Sequence, residues 1–450
     1  MTLFTLGEVS RATDGYLLDA DPGARVDSVV TDSRKAVTGS LFVAIAGERT
    51  DGHRYVDAAL AQGAVAALVS DRTAQGPRIL VKDTLAALGA LAAYHRRRFE
   101  LPVVGVTGSV GKTTVKEMIW AVLSALGPAL KTEKNYNTEI GVPLALFDLR
   151  PTHWAAVIEM AMRGPGQIAY LCQMAAPSIG VITNIGQTHM EILGSQEAIV
   201  RAKGELLDYL GARGTAVLNR DDHFSRQLGE KFPGPVLWYG QHSQADVRVL
   251  SVDGGRVTLS SAVGTYSISL PAPGLHNAVN AAAAWTTGMI LGVDAAAMVR
   301  ALETMKMPEM RLETITLGGL TIINDAYNAA PASCRAALDV LRSTPGDRKI
   351  TVLGNMLELG DVSMEGHREV GAYAAFADYV VCVGELTRVT AEEARAHGAR
   401  ALHFDTNTEA AGWLRETVRP GDVVLVKGSR GARMEEIVEA LIAHVGGEAT

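Results

Sequence analysis

Residues Thr107 to Thr114 read T-G-S-V-G-K-T-T and directly follow the apolar run 103–106. Glycines at positions 108 and 111 permit a tight turn in which successive main-chain N–H groups point at one anion. Apolar residues then recur at helical spacing from Val115 to Leu126, and the N-terminus of such a helix attracts negative charge. The succession of strand, glycine-rich loop and helix predicts a phosphate-binding loop.

Within this loop, Lys112 is placed to reach the β- and γ-phosphates of a nucleoside triphosphate, and the Thr113 hydroxyl is placed to ligate Mg²⁺. The general pattern has a glycine five residues before Gly111, where this chain has Val106, and Gly108 replaces it. The loop alone leaves kinase, GTPase, ATPase and ligase open. The residues predicted to contact phosphate are Gly108, Ser109, Val110, Gly111, Lys112, Thr113 and Thr114.

The composition is typical of a globular protein and argues against several other classes. The chain has 450 residues, 48% hydrophobic and 20% charged, and its length suggests about three domains. It lacks an apolar run long enough to span a membrane and shows no signal peptide, so we expect a cytoplasmic protein. A net charge of −7 without a basic block argues against nucleic acid as a partner. Cys172, Cys334 and Cys382 are widely spaced, which favours buried thiols over disulfides or zinc ligands.

The hydrophobic pattern divides the chain into three α/β domains. Residues 1–100 read as a small α/β domain, and 101–310 as a central parallel sheet with a small antiparallel element around residues 246–270. Residues 311–450 predict a Rossmann-like doubly wound sheet that lacks a G-x-G-x-x-G dinucleotide motif. Pro308 interrupts a helical pattern and indicates a hinge between the last two domains. The predicted strands are 103–106, 155–159, 179–183, 215–218, 320–324, 349–353, 379–383, 401–404 and 423–427.

Several polar residues stand where chemistry is expected, and each has a structural alternative. Glu159 ends a predicted buried strand, where it would hold Mg²⁺ or pair with Arg163. His189 follows another strand as a metal or phosphate contact, or as a structural histidine. Lys203 lies in a predicted helix, where a single lysine is normally a solvated charge. The Asn-rich stretch 131–143 would contact phosphate or form turns, and from the residues alone the turn is favoured.

Taken in order, these segments resemble the ATP-dependent Mur ligase family, which extends the peptide of the cell-wall precursor. The resemblance covers nearly the whole chain. Early in the third predicted domain, D-A-Y-N-A-A-P (325–331) is similar to the D-alanyl-D-alanine-adding branch of this family. The motifs that carry the resemblance are T-G-S-V-G-K-T-T, N-Y-N-T-E-I-G-V-P (135–143), Glu159, T-N-I-G-Q-T-H (183–189), A-K-G-E (202–205), P-G-L-H-N-A-V-N (273–280) and R-L-E (311–313).

The resemblance implies an ATP-dependent ligase that joins D-alanyl-D-alanine to UDP-N-acetylmuramoyl-tripeptide through an acyl phosphate. It implies ATP and two Mg²⁺ ions as cofactors. It implies a monomer with the UDP-sugar on residues 1–100, ATP on 101–310 and the dipeptide on 311–450. The catalytic residues would be Lys112, Lys203 (carbamylated), His189 and Glu159. Metal would be held by Thr113, Glu159, His189 and Lys203. Further nucleotide contacts would be Asn137, His276, Asn277, Asn280, Arg311 and Asp325. Substrate would be bound by Ser33, Arg34, Gly47, His53, Asn135, Tyr327 and Asn328.

Three positions depart from the family pattern, namely Thr138, Ala161 and Asn355. None of them is a predicted phosphate or metal ligand, although Asn355 could alter how the dipeptide is held. Two other hypotheses stay open. A sister ligase that adds a single amino acid would share the loop and the fold, and a non-catalytic nucleotide-binding module would share the fold without turnover.

Overall fold

The computed structural model describes residues 2–47, 50–133, 135–186 and 190–447. They form three successive α/β units, each built on its own main sheet, and the predicted fold class is confirmed. No helix in these described ranges is long and apolar enough to cross a membrane.

The first unit carries a five-stranded sheet in the order β2-β7-β6-β5-β4, with β2 antiparallel to β7 and the other neighbours parallel. A two-stranded pair, β1 with β3, lies beside it. The strands are β1 (Phe4–Thr5), β2 (Tyr16–Leu18), β3 (Arg25–Val26), β4 (Ser28–Val30), β5 (Ser40–Val43), β6 (Ala66–Val69) and β7 (Arg78–Leu80), and the helices are α1 (Leu6–Thr13), α2 (Val56–Ala61) and α3 (Thr84–Arg96).

The central unit holds a nine-stranded sheet in the order β16-β15-β14-β13-β12-β11-β8-β10-β9. Neighbours from β9 to β14 are parallel, and β15 and β16 extend the sheet as antiparallel strands, as predicted for 246–270. The strands are β8 (Val103–Thr107), β9 (Ala129–Lys131), β10 (Ala155–Glu159), β11 (Ile179–Ile182), β12 (Thr215–Asn219), β13 (Val236–Gly240), β14 (Val247–Asp253), β15 (Arg256–Ser261) and β16 (Gly264–Ser269). The helices are α4 (Lys112–Ser124), α5 (Gly141–Leu146), α6 (Gln167–Ala175), α7 (Met190–Leu193), α8 (Gln196–Leu210), α9 (His223–Lys231), α10 (Leu275–Ile290) and α11 (Ala295–Thr304).

The third unit has a six-stranded sheet in the order β17-β18-β22-β19-β20-β21, parallel except for β17 at its edge. Its strands are β17 (Glu313–Leu317), β18 (Leu320–Asp325), β19 (Arg348–Gly354), β20 (Tyr379–Val383), β21 (Ala401–Phe404) and β22 (Asp422–Lys427), and its helices are α12 (Pro331–Ser343), α13 (Ser363–Ala374), α14 (Arg388–Ala396), α15 (Asn407–Thr417) and α16 (Glu435–Gly447).

The strands that carry the site are buried on both faces, which explains their continuous apolar sequence. Every residue of β8 and β10 is buried. Helices α4 and α10 cover one face of the central sheet, and α6 and α8 cover the other. Because β8, β10 and β11 are parallel, their carboxyl ends lie at one edge, where ligands of open α/β sheets bind.

The three units are joined by two connections: a shared hydrophobic core between the first and central units, and a short segment between the central and third units. Helix α3 of the first unit packs against α5 and α6, so the first and central units share one hydrophobic core. The chain leaves α11 at Thr304 and enters the third unit through Met310 and Leu312, which have positive φ values of 55° and 54°. Positive φ is uncommon in residues other than glycine, and this backbone lies where the sequence predicted a hinge.

The shared core of the first two units contains a histidine among aromatic rings. His95 is 2% exposed, with ring centroids 5.0 Å from Phe99 and 5.4 Å from Phe4. Neither ring nitrogen forms a hydrogen bond of normal geometry with a described residue. Burial lowers the pKa of His95 to about 4, partly opposed by the nearby Leu149 main chain. The fold therefore requires the neutral imidazole.

We predict that His95 makes the fold less stable in mild acid. Its pKa is lower in the folded chain than its ordinary 6.5, so the unfolded chain binds the proton first as the pH falls. Stability is then lost from about pH 6.5 downward, by about 2 kcal/mol at pH 5. Urea unfolding at pH 7 and pH 5 should show a smaller loss in His95→Leu than in the wild type. The exposed His397, changed to Leu, is the matched control, and equal losses in all three proteins would contradict the prediction.

Candidate active site

A cavity of about 760 Å³ lies between the central and third units, next to the carboxyl ends of β8 and β10. Its walls hold most of the residues that the sequence predicts to meet nucleotide, metal or dipeptide. The predicted residues that line it are Ser109, Val110, Gly111, Lys112, Thr113, Thr114, Asn135, Asn137, Glu159, His276, Asn277, Asn280, Arg311, Asp325, Tyr327 and Asn328.

The phosphate loop turns sharply between β8 and α4. Gly108 and Gly111 have φ values of 146° and 85°, which favour glycine. A side chain at position 108 would also collide with Thr183, since a Cβ there would lie 1.9 Å from the Thr183 Oγ1 atom. Gly111 gives α4 its N-cap, so the positive end of the helix faces the cavity.

The segment that follows β11 fixes the shape of this loop. The main-chain N–H of Ser109 donates to the Asn184 carbonyl at 2.9 Å, and that of Val110 donates to Asn184 Oδ1 at 3.0 Å. The Val110 carbonyl accepts from the Thr183 hydroxyl at 2.6 Å. Sequence reasoning recognised T-N-I-G as a motif but missed Thr183 and Asn184 as functional residues. A signal was present, because two parallel strands that both end in polar loops place those loops side by side.

The Lys112 amine lies across the loop and donates to the carbonyls of Gly108 at 2.9 Å and Ser109 at 3.2 Å. Burial lowers the pKa of Lys112; Glu159 and Glu358 oppose this shift, whereas Arg311 adds to it. The amine thus sits among charged groups from both the central and the third unit.

Glu159 is held at the end of β10 with one carboxylate oxygen left unpaired. The side chain is 1% exposed, and its Oε1 atom accepts from Asn137 Nδ2 at 2.8 Å. The ion pair with Arg163 that the sequence left open is absent from the described part of the chain, and Asn137 takes that place. The buried Oε2 atom has no hydrogen-bond partner among the described residues. A buried carboxylate oxygen is costly unless a cation or donor meets it, so this atom suits a hard metal ion.

Lys203 departs from the usual behaviour of a lone helical lysine. It lies in α8, is 2% exposed, and is not among the described residues that line the cavity. Burial lowers its pKa well below the ordinary value, and the charge of Lys112 adds to the shift. The expectation of a solvated charge is wrong, because the helix turns this side chain into the core. The predicted metal contact His189 lies outside the described residues.

The third unit reaches the phosphate loop through Arg311. Its Nη2 atom donates to the Thr113 hydroxyl at 3.0 Å, and its guanidinium carbon lies 4.1 Å from the centroid of the Tyr327 ring. This contact joins residues nearly 200 positions apart in the chain. The predicted metal ligand Thr113 and the predicted nucleotide contact Arg311 are therefore direct neighbours.

A second buried lysine, Lys427, orders the third-unit wall of the cavity. It is 2% exposed, forms an ion pair with Asp325, and donates to the Asn328 carbonyl at 2.9 Å. The other Asp325 oxygen accepts from the Leu312 main chain at 3.2 Å. The sequence analysis missed Lys427 as a site residue.

The predicted nucleotide contacts His276, Asn277 and Asn280 lie in the first two turns of α10 and line the same cavity as the phosphate loop. Burial lowers the pKa of His276 to about 4; the Asp325 carboxylate partly opposes this shift, whereas the charge of Lys427 adds to it. Asn277 is 2% exposed, and its side-chain amide donates to the Pro273 carbonyl at 3.0 Å. The lowered pKa favours the neutral imidazole of His276, which suits contact with an uncharged nucleobase rather than with an anionic phosphate.

The predicted UDP-sugar residues are not part of the large cavity. Ser33 and Arg34 lie in a 3-10 turn, where Arg34 is exposed and pairs with Asp32 at 2.8 Å. His53 accepts from the Ser70 main chain at 2.9 Å through Nε2, which leaves Nδ1 to donate to Asp51 at 2.7 Å. The main-chain N–H of the fourth predicted residue, Gly47, donates to the Thr50 carbonyl.

A smaller cavity of about 260 Å³ lies between the first and central units. The first unit contributes Thr31, Asp32 and Lys35 to its wall, and the central unit contributes Tyr136. Asn135 and Asn137, on either side of Tyr136, line the large cavity instead. One loop therefore connects the two cavities.

The three departures from the family pattern have ordinary structural roles. The Thr138 hydroxyl accepts from the Gly141 main chain at 3.4 Å, and the Ala161 main chain donates to the Asn137 carbonyl at 2.9 Å. Asn355 Oδ1 accepts from the Leu386 main chain at 3.1 Å. Asn355 does not line the large cavity in the described part of the chain.

Family comparisons agree with this architecture. Residues 25–96 match the Mur ligase family catalytic domain, residues 106–288 the Mur ligase middle domain, and residues 310–430 the Mur ligase glutamate ligase domain.

Named relatives are similar along almost the entire chain. The UDP-N-acetylmuramoyl-tripeptide–D-alanyl-D-alanine ligase of Synechocystis is 40% identical, with 93% of each chain covered. The enzyme of the same name from Escherichia coli is 37% identical, with 98% of this chain and 99% of its own covered.

Solved structures give the same result. MurF from Acinetobacter baumannii superposes with a TM-score of 0.91 at 34% identity, with 98% of both chains covered. MurF from Thermotoga maritima in complex with ADP has a TM-score of 0.84 at 30% identity, with 94% of this chain and 98% of its own covered. From its sequence motifs, its three α/β units and these similarities, the chain belongs to the Mur ligase family.

Proposed function

We propose that this chain is an ATP-dependent ligase of peptidoglycan synthesis that joins D-alanyl-D-alanine to UDP-N-acetylmuramoyl-tripeptide. The products are the UDP-linked pentapeptide, ADP and phosphate. One observation carries the proposal: a phosphate loop, a buried carboxylate with an unpaired oxygen, and third-unit cations line a single cavity. Relatives named for this activity match at least 93% of the chain.

We assign one substrate to each unit. The UDP-sugar binds within residues 1–100 near Ser33, Arg34, Gly47 and His53, ATP binds within 101–310, and the dipeptide binds within 311–450 near Tyr327 and Asn328. The support is the loop at 135–137, which borders both cavities. A long substrate anchored at the first unit can follow this loop and bring its terminal carboxylate to the phosphate loop.

The residues around the phosphate loop fit Mg²⁺, and we propose two ions. Glu159 offers its unpaired Oε2 atom, and Thr113 offers a hydroxyl. Lys203 would contribute as a carbamate, and His189, which lies outside the described residues, is the further ligand that we propose from the family resemblance. Within the described ranges, no group of three or more His, Cys, Asp or Glu side chains forms a metal cage. The ions would therefore take their other ligands from phosphate oxygens and water, as Mg²⁺ commonly does. Bound Mg²⁺ supplies positive charge that offsets the anionic phosphates.

In the first step, a carboxylate oxygen of the tripeptide forms a bond to the γ-phosphorus, and the bond from that phosphorus to ADP breaks. The carboxylate and the triphosphate repel each other because both are anionic. The Lys112 amine, the N-terminus of α4 and the guanidinium of Arg311 face this region and reduce that repulsion.

In the second step, the neutral amine of the dipeptide attacks the acyl carbon and forms a tetrahedral intermediate. The bond between that carbon and the phosphate oxygen breaks, and the phosphate leaves with the proton that the nitrogen loses. Lys427 donates to the Asn328 carbonyl and so stabilises the cavity wall on which the dipeptide would lie. Water must be kept from the acyl phosphate, and movement of the third unit at Met310 and Leu312 would close the cavity.

We further propose that the enzyme is a cytoplasmic monomer. Its co-substrate ATP is a cytoplasmic metabolite, and its three cysteines are free and buried, which suits a reducing compartment.

An isotope experiment tests the acyl phosphate and the ligase activity together. When the terminal carboxylate of the tripeptide carries ¹⁸O in both positions, the phosphate released with D-alanyl-D-alanine should contain one ¹⁸O atom, measured by mass spectrometry. Lys112→Ala should lower this release by about 100-fold or more, because charge neutralisation is lost. The exposed Lys231→Ala is the matched control and should act like the wild type. Unlabelled phosphate in the wild-type reaction would contradict the mechanism.

We predict that Lys203 is carbamylated. Burial lowers the pKa of its amine well below the usual range and so favours the neutral form that reacts with CO₂, and the positive charge of Lys112 favours the resulting anion. With ¹³C-bicarbonate, the wild type should show a carbamate carbon in its NMR spectrum. Lys203→Arg should lack this signal and turn over about 10- to 100-fold more slowly. A fully active Lys203→Arg enzyme would show that the carbamate has no role.

A further inference from the structure

A charged cluster with one fully buried lysine lies on α4 and β9 and is not used by the proposed mechanism. Lys116 is one helical turn beyond Lys112 in α4, and its side chain is fully buried. Its Nζ atom pairs with Glu117 at 2.9 Å, and Glu117 also pairs with Lys131 of β9 at 2.6 Å. Ion pairs that include a buried charge often contribute little net stability. Stability alone therefore does not explain why this cluster is placed here.

The cluster is directed at one residue, Thr132, which follows β9 and is fully buried. The Lys116 amine donates to the Thr132 carbonyl at 2.7 Å. The Thr132 main-chain N–H donates to the Val157 carbonyl of β10 at 3.1 Å. The Thr132 hydroxyl accepts from the main-chain N–H of Glu159 at 3.0 Å. All three polar groups of this residue are therefore engaged, and they join the phosphate-loop helix to the strand that carries Glu159.

The same segment also holds the Glu159 side chain. Asn137, five residues beyond Thr132, donates to the Glu159 Oε1 atom at 2.8 Å, while Oε2 has no partner among the described residues. Thr132 thus fixes the main chain of Glu159, and Asn137 fixes one of its carboxylate oxygens. These two contacts restrict the position of the second oxygen. Groups that orient a metal ligand in this way commonly change metal affinity by about 10- to 100-fold when removed.

We infer that Thr132, anchored to the phosphate-loop helix by Lys116, is a positioning residue that fixes the Glu159 carboxylate relative to the phosphate loop. Neither residue touches the reacting atoms. Their effect would be on the coupling between metal and nucleotide, because a metal ion shared by Glu159 and a phosphate needs a set distance between the two. This inference rests on the proposed metal role of Glu159.

The test measures ADP affinity by calorimetry with and without Mn²⁺, using the full chain. In the wild type, Mn²⁺ should tighten ADP binding. In Thr132→Val, the factor by which Mn²⁺ raises the ADP affinity should be about 10-fold smaller. ADP affinity without metal should stay unchanged, because the phosphate loop itself is intact. Thr132→Ser keeps the hydroxyl and should restore the gain. Lys116→Met should show the same loss as Thr132→Val.

Two controls separate this inference from the function on which it rests. Thr351 is a fully buried β19 residue of the third unit whose hydroxyl has no partner among described residues, so Thr351→Val should behave as the wild type. Glu159→Gln should lose the Mn²⁺ effect. If Glu159→Gln keeps it, or the wild type shows none, the metal role of Glu159 is wrong. If Glu159→Gln loses the effect while folded Thr132→Val retains it in full, the positioning role of Thr132 is wrong.

Discussion

The close fit between the phosphate loop and the segment after β11 is the constraint on which the rest of the site depends. Gly108 has no room for a side chain against Thr183, and Asn184 holds both Ser109 and Val110. Once the loop has this shape, α4 must start at Lys112, and its first turn faces the cavity. The other site contacts are arranged around that helix: Arg311 reaches it from the third unit, and Lys116 connects it to the strand of Glu159.

Burial of ionisable groups also shapes the site, and it affects different residues in opposite ways. Glu159 is kept with one buried oxygen unpaired, which favours a cation beside it. Lys203 and His276 are shifted towards their neutral forms, one suited to reaction with CO₂ and the other to contact with a base. Lys427 keeps an ion pair with Asp325 and so stiffens the wall contributed by the third unit. One cavity thus combines groups whose charge states differ because their surroundings differ.

Sequence patterns predicted the layout better than the connections within it. The runs at 103–106 and 155–159 are apolar because β8 and β10 are buried on both faces, and their bounds were predicted within one residue. Strands β9, β13 and β17 were missed: β9 has three residues, and β17 alternates at a sheet edge without a strong apolar run. The burial of Lys203 could not be predicted, since it depends on which way α8 faces. The contact of Arg311 with Thr113 depends on how two units meet, which no local pattern encodes.

The central claim is that this cavity activates the carboxylate of a UDP-linked tripeptide for attack by a dipeptide amine. The most direct test measures phosphate release from ATP with UDP-N-acetylmuramoyl-tripeptide as acceptor, adding D-alanyl-D-alanine or single amino acids in turn. The account predicts release only when the tripeptide and D-alanyl-D-alanine are both present, together with the pentapeptide product. Release with a single amino acid on a shorter acceptor would contradict it and would assign the chain to a sister ligase of the same family.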